Sequence, residues 1–205
     1  VDTISAHAGL PPQTLRDLHR YAEPSGDVVR VIRGPPRSNA NSNDGSNGVT
    51  EEIHTPYHQD FGTVTLLFNW IGGLQTEHEG TTTWVEPPKP GQAIVLVGTA
   101  LAKFIPGCHA ARHRVVCAPG EQGQFARYSM GYFLRPEDEV VLKPMTMDTV
   151  IATGEAATRA KAKRDSGIAE QEMTAKQWIR LQARGLGIGR EEGEDEKAGR
   201  GISRG

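Results

Sequence analysis

The stretch from residue 53 to 136 constrains the fold most. Short β-type runs at 63–70, 74–77, 82–86, 92–97, 110–117 and 125–134 alternate there with glycine and proline. Turn signals at Pro87-Pro88-Lys89-Pro90-Gly91 and Pro119-Gly120 punctuate them. Many short strands with little helix between them predict a mainly β fold, a sandwich or a jelly roll with flanking helices. The composition agrees: 24 glycines and 13 prolines in 205 residues exceed the usual share, and hydrophobic residues reach only 37%.

On either side the pattern changes. Residues 1–24 read as helical, broken at Gly9, Pro11 and Pro12, and 28–32 reads as a strand. Residues 38–48 are almost purely Ser, Asn, Asp and Gly and predict a flexible loop. Residues 143–158 look irregular. Thr174 and Gln177 form a capping box that opens a helix ending at Gly185. The last 21 residues hold 7 glycines and 9 charged side chains and predict a disordered tail. The expected organisation is a helical lead-in at 1–27, a β core at 28–142 with a flexible loop at 37–52, an irregular segment and helix at 143–184, and a tail at 185–205.

A net charge of −2 argues against nucleic acid as a partner. No run of 18 apolar residues suggests a membrane span. No secretory leader is evident, and the chain opens at Val1 rather than Met, so it reads as a fragment or a processed chain. Two cysteines, Cys108 and Cys117, make no disulfide framework and fit a reduced, cytoplasmic protein.

Three small motifs carry chemistry. On a strand, His58 and Asp60 of His58-Gln59-Asp60 would point to one face and reach a common point. His113 lies 53 residues beyond Asp60, in another β-type run. Two histidines and one carboxylate on one octahedral face suit non-haem Fe(II), with positions left open. In Arg127-Tyr128-Ser129, Arg127 and Ser129 share a strand face, and a buried guanidinium beside a hydroxyl suits a carboxylate. Singly, each motif also reads as a surface polar pair or a strand histidine bonded to backbone. His54, His78 and His109 lack a motif partner and read as bland, His7 and His19 as solvent-facing, and Trp70 and Phe104 as core.

In order and spacing the three motifs resemble the isopenicillin-N-synthase-like branch of the 2-oxoglutarate/Fe(II)-dependent dioxygenases. The intervening wording supports the resemblance: Phe61-Gly62-Thr63-Val64-Thr65-Leu66-Leu67-Phe68-Asn69, Gly72-Gly73-Leu74-Gln75, Trp84-Val85-Glu86-Pro87-Pro88 and Tyr132-Phe133-Leu134-Arg135-Pro136 are closest to fungal members. The resemblance spans about residues 28–184. It implies a double-stranded β-helix, a distorted jelly roll. It implies His58, Asp60 and His113 as iron ligands, and Arg127 and Ser129 as partners of the distal carboxylate of 2-oxoglutarate. Fe(II), 2-oxoglutarate and O2 would together oxidise a small organic molecule in specialised metabolism, by hydroxylation, desaturation or ring closure, and release succinate and CO2.

Three departures accompany it. Gly34 stands where the family usually has a tyrosine near 2-oxoglutarate. Gly98-Thr99 replaces a common Gly-Asp. The family's N-terminal helices and first strands have no counterpart here. An exposed apolar flank is therefore expected, covered in a homodimer or other assembly, or else accompanied by poor solubility and an open site. The alternatives are a non-catalytic or truncated barrel that binds a metal, ligand or partner, and an Fe(II) oxidase that does not use 2-oxoglutarate.

Overall fold

The computed structural model describes residues 1–38, 52–145 and 173–185. The expected loop at 38–48, the segment at 146–172 and the tail beyond 185 lie almost wholly outside these residues. Among the described residues eight strands form two four-stranded sheets, antiparallel throughout. They are β1 (Val28–Gly34), β2 (Ile53–His58), β3 (Val64–Asn69), β4 (Leu74–His78), β5 (Thr81–Val85), β6 (Ile94–Val97), β7 (Arg112–Val116) and β8 (Arg127–Leu134). One sheet has the order β1-β8-β3-β6 and the other β2-β7-β4-β5. The chain changes sheet at almost every step, and only β4 to β5 stays in one as a hairpin. This is the winding of a jelly roll, one of the two architectures the strand-and-turn pattern allowed and the one the resemblance implied.

β2 is the strand that the β-type runs did not mark. It carries Pro56, which cannot donate to a ladder, and it lies at a sheet edge where no ladder bond is lost. Two register shifts against β7 interrupt its alternation. Among the described residues three helices flank the sheets: α1 (Asp2–His7), α2 (Thr99–Phe104) and α3 (Ala175–Gly185). The capping box is formed: Thr174 Oγ1 accepts from the Gln177 N–H at 3.3 Å, and Gln177 Oε1 accepts from the Thr174 N–H at 2.9 Å. The lead-in is less helical than its composition suggested. After α1 it holds only a 3-10 turn at Arg16–Leu18, because Pro11 and Pro12 interrupt the backbone hydrogen bonding.

Leu74, Leu96 and Val116 are buried apolar residues of the strands themselves, and a larger apolar cluster lies at one end. Leu15, Val64, Ala100, Leu101, Phe104, Leu142 and Ala175 cluster where the lead-in, α2 and α3 meet the ends of β3 and β6. Phe104 is core, as expected; Trp70 is not, with 76% of its surface exposed just beyond β3. His19 is not solvent-facing either. Its Nδ1 donates to the Leu15 carbonyl at 2.6 Å, its Nε2 meets Thr63 Oγ1 at 2.6 Å, and burial pushes its pKa down.

The outer face of the β1-β8-β3-β6 sheet is apolar. Val31, Met130 and Phe68 form one cross-strand row, and Val29, Tyr132, Leu66 and Val95 form the next. Val31 is 74% exposed and Val29 59%.

Candidate active site

The buried polar residues gather on or beside the strands: Asp60, Thr65, Asn69, Gln75, His113, Arg127 and Ser129. His58 ends β2 and pairs in register with His113 on β7, which sets the two imidazoles side by side with centroids 4.2 Å apart. Asp60 does not share a strand with His58, contrary to the simple i, i+2 argument. β2 stops at His58, and Asp60 lies in the turn that follows. α2, which the sequence reading missed, fixes that turn. The Thr99 N–H donates to the Asp60 carbonyl at 2.8 Å, and the Ala100 N–H to the Gly62 carbonyl at 3.0 Å.

The three side chains nevertheless converge. Asp60 Oδ1 lies 3.7 Å from His58 Nε2 and 4.0 Å from His113 Nε2. All three ligand atoms lie within 4.8 Å of one another. The tautomers follow from the other ring nitrogens. His58 Nδ1 meets the Pro56 carbonyl at 2.9 Å, and His113 Nδ1 meets the Ala111 carbonyl at 2.9 Å. A carbonyl only accepts, so each Nδ1 holds the proton and each Nε2 presents a lone pair. Burial lowers the His113 pKa and keeps that ring neutral despite Asp60, as ligation requires. Thr65 Oγ1 donates to Asp60 Oδ2 at 2.6 Å and leaves Oδ1 facing the histidines.

Nearby, a cavity of about 320 Å³ opens between the sheets, lined by β1, β2, β7 and β8. Arg127 and Ser129 contribute to its wall and each is only 3% exposed. Both belong to the inward face of β8, as alternation predicted. Arg127 Nε donates to the Gly72 carbonyl at 2.9 Å, while Nη2 is buried and has no protein partner. Gly73, at φ 106°, keeps this turn against β8. A Cβ there would come within 2.5 Å of the Val116 carbonyl oxygen and 3.4 Å of the Arg127 side chain. Val115, two residues from His113 on β7, joins the cavity to the histidine pair.

Residues 27–136, more than half of the chain, match the model of the 2OG-Fe(II) oxygenase superfamily. The chain belongs to this superfamily. A 2-oxoglutarate-dependent dioxygenase of Aspergillus fumigatus is 35% identical over 156 residues, 66% of this chain and 38% of that protein. The dioxygenase iboH of Amanita muscaria is 34% identical over 125 residues, 58% of this chain and 55% of that one. The chain thus spans about half, or less, of the length of these relatives. Among solved structures, Neurospora crassa T7H in complex with alpha-KG superposes with a TM-score of 0.67 at 19% identity, covering 90% of this chain and 51% of that one. A putative 2OG-Fe(II) oxygenase family protein from Caulobacter crescentus gives a TM-score of 0.63 at 20% identity, over 90% and 53%. These likenesses support the jelly-roll fold.

Fe(II), 2-oxoglutarate and O2 are the metal and cosubstrates of the 2OG-Fe(II) oxygenase superfamily. The residues present fit them. Two imidazoles and one carboxylate, each aimed by a hydrogen bond on its far side, suit Fe(II). The orphaned, buried Arg127 Nη2 suits an anion. Two residues escaped the sequence reading. Thr65 gave no signal, because nothing in the sequence tells which hydroxyl will meet Asp60. His54 lies four residues before His58, a spacing that marks one strand face, but the register shifts in β2 spoil that argument. His54 lines the cavity, whereas His7 is exposed as expected, and His78 and His109 are exposed too.

Proposed function

We propose that the protein is an Fe(II)/2-oxoglutarate-dependent oxygenase that oxidises a small organic molecule, by hydroxylation or by desaturation or ring closure. His58, Asp60 and His113 hold the metal; Arg127 and Ser129 hold the distal carboxylate of 2-oxoglutarate. Bound there, iron and 2-oxoglutarate supply the oxidising power of the class, with O2 consumed and succinate and CO2 released. The protein's own residues position and shield. Pro56 and Ala111 carbonyls fix the histidine tautomers, Thr65 orients Asp60, and Gly72 orients Arg127. The burial of Asp60, His113, Arg127 and Ser129 keeps bulk water from the charges.

The observation that carries this reading is the convergence of two imidazole nitrogens and one carboxylate oxygen within 4.8 Å, beside a cavity where Arg127 Nη2 has no partner. The expected role in specialised metabolism fits the fungal relatives, and the cytoplasmic location and the homodimer over the apolar face belong to the same proposal. Anaerobic titration with Fe(II) and then 2-oxoglutarate tests it, through the visible charge-transfer band of the chelate. The band should appear in the wild type, and 2-oxoglutarate should be turned over to succinate on adding O2. A protein that binds Fe(II) and gives no band with 2-oxoglutarate would refute the cosubstrate assignment.

A further inference from the structure

His54 has no role in the account above, and its surroundings demand one. It lies on β2 and faces the cavity with Gly34, Arg127 and Ser129. Both ring nitrogens are shut off from solvent, and neither has a hydrogen-bond partner. A neutral imidazole carries one N–H and one lone pair, so a donor and an acceptor are both stranded. Buried polar groups in folded proteins are almost always paired, and an orphan calls for a reason. Arg127 Nη2 is stranded in the same cavity.

The backbone makes room for this ring. Gly34 pairs with Arg127 across β1 and β8. A Cβ on Gly34 would stand 2.5 Å from His54 Nδ1. Any side chain at 34 would evict the imidazole from its place beside Arg127. Apolar packing alone would not call for a side chain with two polar atoms to satisfy.

Glu52 and Cys117 also approach His54, within 4.8 Å. They are engaged elsewhere. The Glu52 carboxylate accepts from the Ser38 N–H and hydroxyl, and Cys117 Sγ lies 3.9 Å from the Gly123 carbonyl. Burial first, and then the Arg127 charge, lower the His54 pKa, while Glu52 opposes them. A neutral ring with one N–H to give is the form that results.

We propose that His54 donates a hydrogen bond to the same distal carboxylate that Arg127 and Ser129 bind, and so selects a dicarboxylic 2-oxo acid over a monocarboxylic one. This rests on the reading of Arg127 and Ser129 as the 2-oxoglutarate pocket. β2 and β8, one from each sheet, then both grip the anion, and the two stranded groups of the cavity find a common partner.

The test compares two ligands that chelate iron with the same 2-oxo acid end. 2-Oxoglutarate has the distal carboxylate, and 2-oxopentanoate has a methyl group in its place. Dissociation constants are read from the charge-transfer band of the anaerobic, Fe(II)-loaded full chain. His54→Leu should weaken 2-oxoglutarate by roughly tenfold or more, the usual worth of a hydrogen bond to a charged group. It should leave 2-oxopentanoate unchanged, and His54→Gln, which keeps an N–H donor, should recover much of the loss. Equal weakening of both ligands, or no weakening of either, would overturn the proposal. Should the Leu variant fail to fold, wild-type protein with 15N-labelled histidine and Zn(II) in the metal site gives a second reading. Adding 2-oxoglutarate should shift the His54 ring signals and adding 2-oxopentanoate should not; no shift with 2-oxoglutarate counts against the role. A wild type that gives no band with 2-oxoglutarate sinks the function itself. A selective Arg127→Ala beside a silent His54→Leu sinks only this inference.

Discussion

Thr65→Val isolates the aiming of Asp60 from its presence. The hydroxyl donates to Asp60 Oδ2 at 2.6 Å, in a site where Asp60 is only 7% exposed. Valine keeps the shape of threonine and suits the strand, so β3 and its pairing with β6 and β8 should persist. What is lost is one hydrogen bond to an ionised carboxylate, worth about 1.5–3 kcal/mol. At about 1.36 kcal/mol per factor of ten, that is a loss of roughly 10- to 150-fold. The usual 10- to 100-fold effect of removing a ligand's supporting partner falls in the same range. The assay is anaerobic calorimetric titration with Fe(II), with Co(II) as an air-stable check. The melting temperature of the metal-free protein should change little, and Thr65→Ser should restore affinity. Metal binding within twofold of wild type would refute the argument. It would mean that the tie between the Thr99 N–H and the Asp60 carbonyl aims the carboxylate by itself.

Arg127→Ala should leave metal binding intact and weaken 2-oxoglutarate by about 2–5 kcal/mol, because the buried anion loses its charged partner. Unchanged affinity in the same charge-transfer titration would favour the oxidase or the non-catalytic alternative. Burial holds the His19 pKa below 6.5, so the unfolded chain takes up that proton first as pH falls. The stability this neutral ring contributes is complete above pH 6.5 and is lost progressively below it. His19→Gln should flatten the fall of the melting temperature between pH 7 and 5, and an unchanged slope would refute the assignment. The apolar face of β1 and β8 should drive concentration-dependent self-association, visible by light scattering. A stable monomer at high concentration, with that face still open to hydrogen exchange, would contradict it.

How much of this was legible depended on range. Strand positions followed from local alternation and punctuation, so β3 to β8 fell within a residue or two of the runs in the sequence. The inward set Arg127 and Ser129 followed from the period of two on an unbroken strand. The same reasoning gave the right grouping of His58 and Asp60 for the wrong reason. Their convergence comes from a turn held by α2, and a six-residue helix leaves little periodicity to detect. The pairing of His58 with His113 is a cross-strand register, and nothing local encodes it; only the resemblance to a known ordered set of motifs linked the two. His54 has no motif partner in the sequence. Its relevant neighbours, Gly34 and Arg127, lie 20 and 73 residues away in sequence.

The division between core and site explains how such a polar cavity is held. The largest apolar cluster lies at one end, where Leu15 of the lead-in, Phe104 of α2 and Ala175 of α3 meet Val64 of β3. Thr63 and Thr65, which flank Val64, turn toward the polar side and bond His19 and Asp60. One strand thus joins the apolar anchor to the ligand-bearing turn. The lead-in and α3 cover that end, and the exposed rows through Val31 and Val29 show that they do not cover the outer face of β1 and β8. The two belong to one face of the sheet: the row Val97, Val64 and Leu134, packed in the core cluster, continues the rows through Leu66 and Phe68. Loss of whatever covers the outer face should loosen β1, and with it Gly34 and the His54 side of the cavity, before it disturbs His58, Asp60 and His113. The edge position of β1, paired to β8 alone, makes it the strand most easily released. 2-Oxoglutarate affinity should respond to the state of that face sooner than metal affinity does.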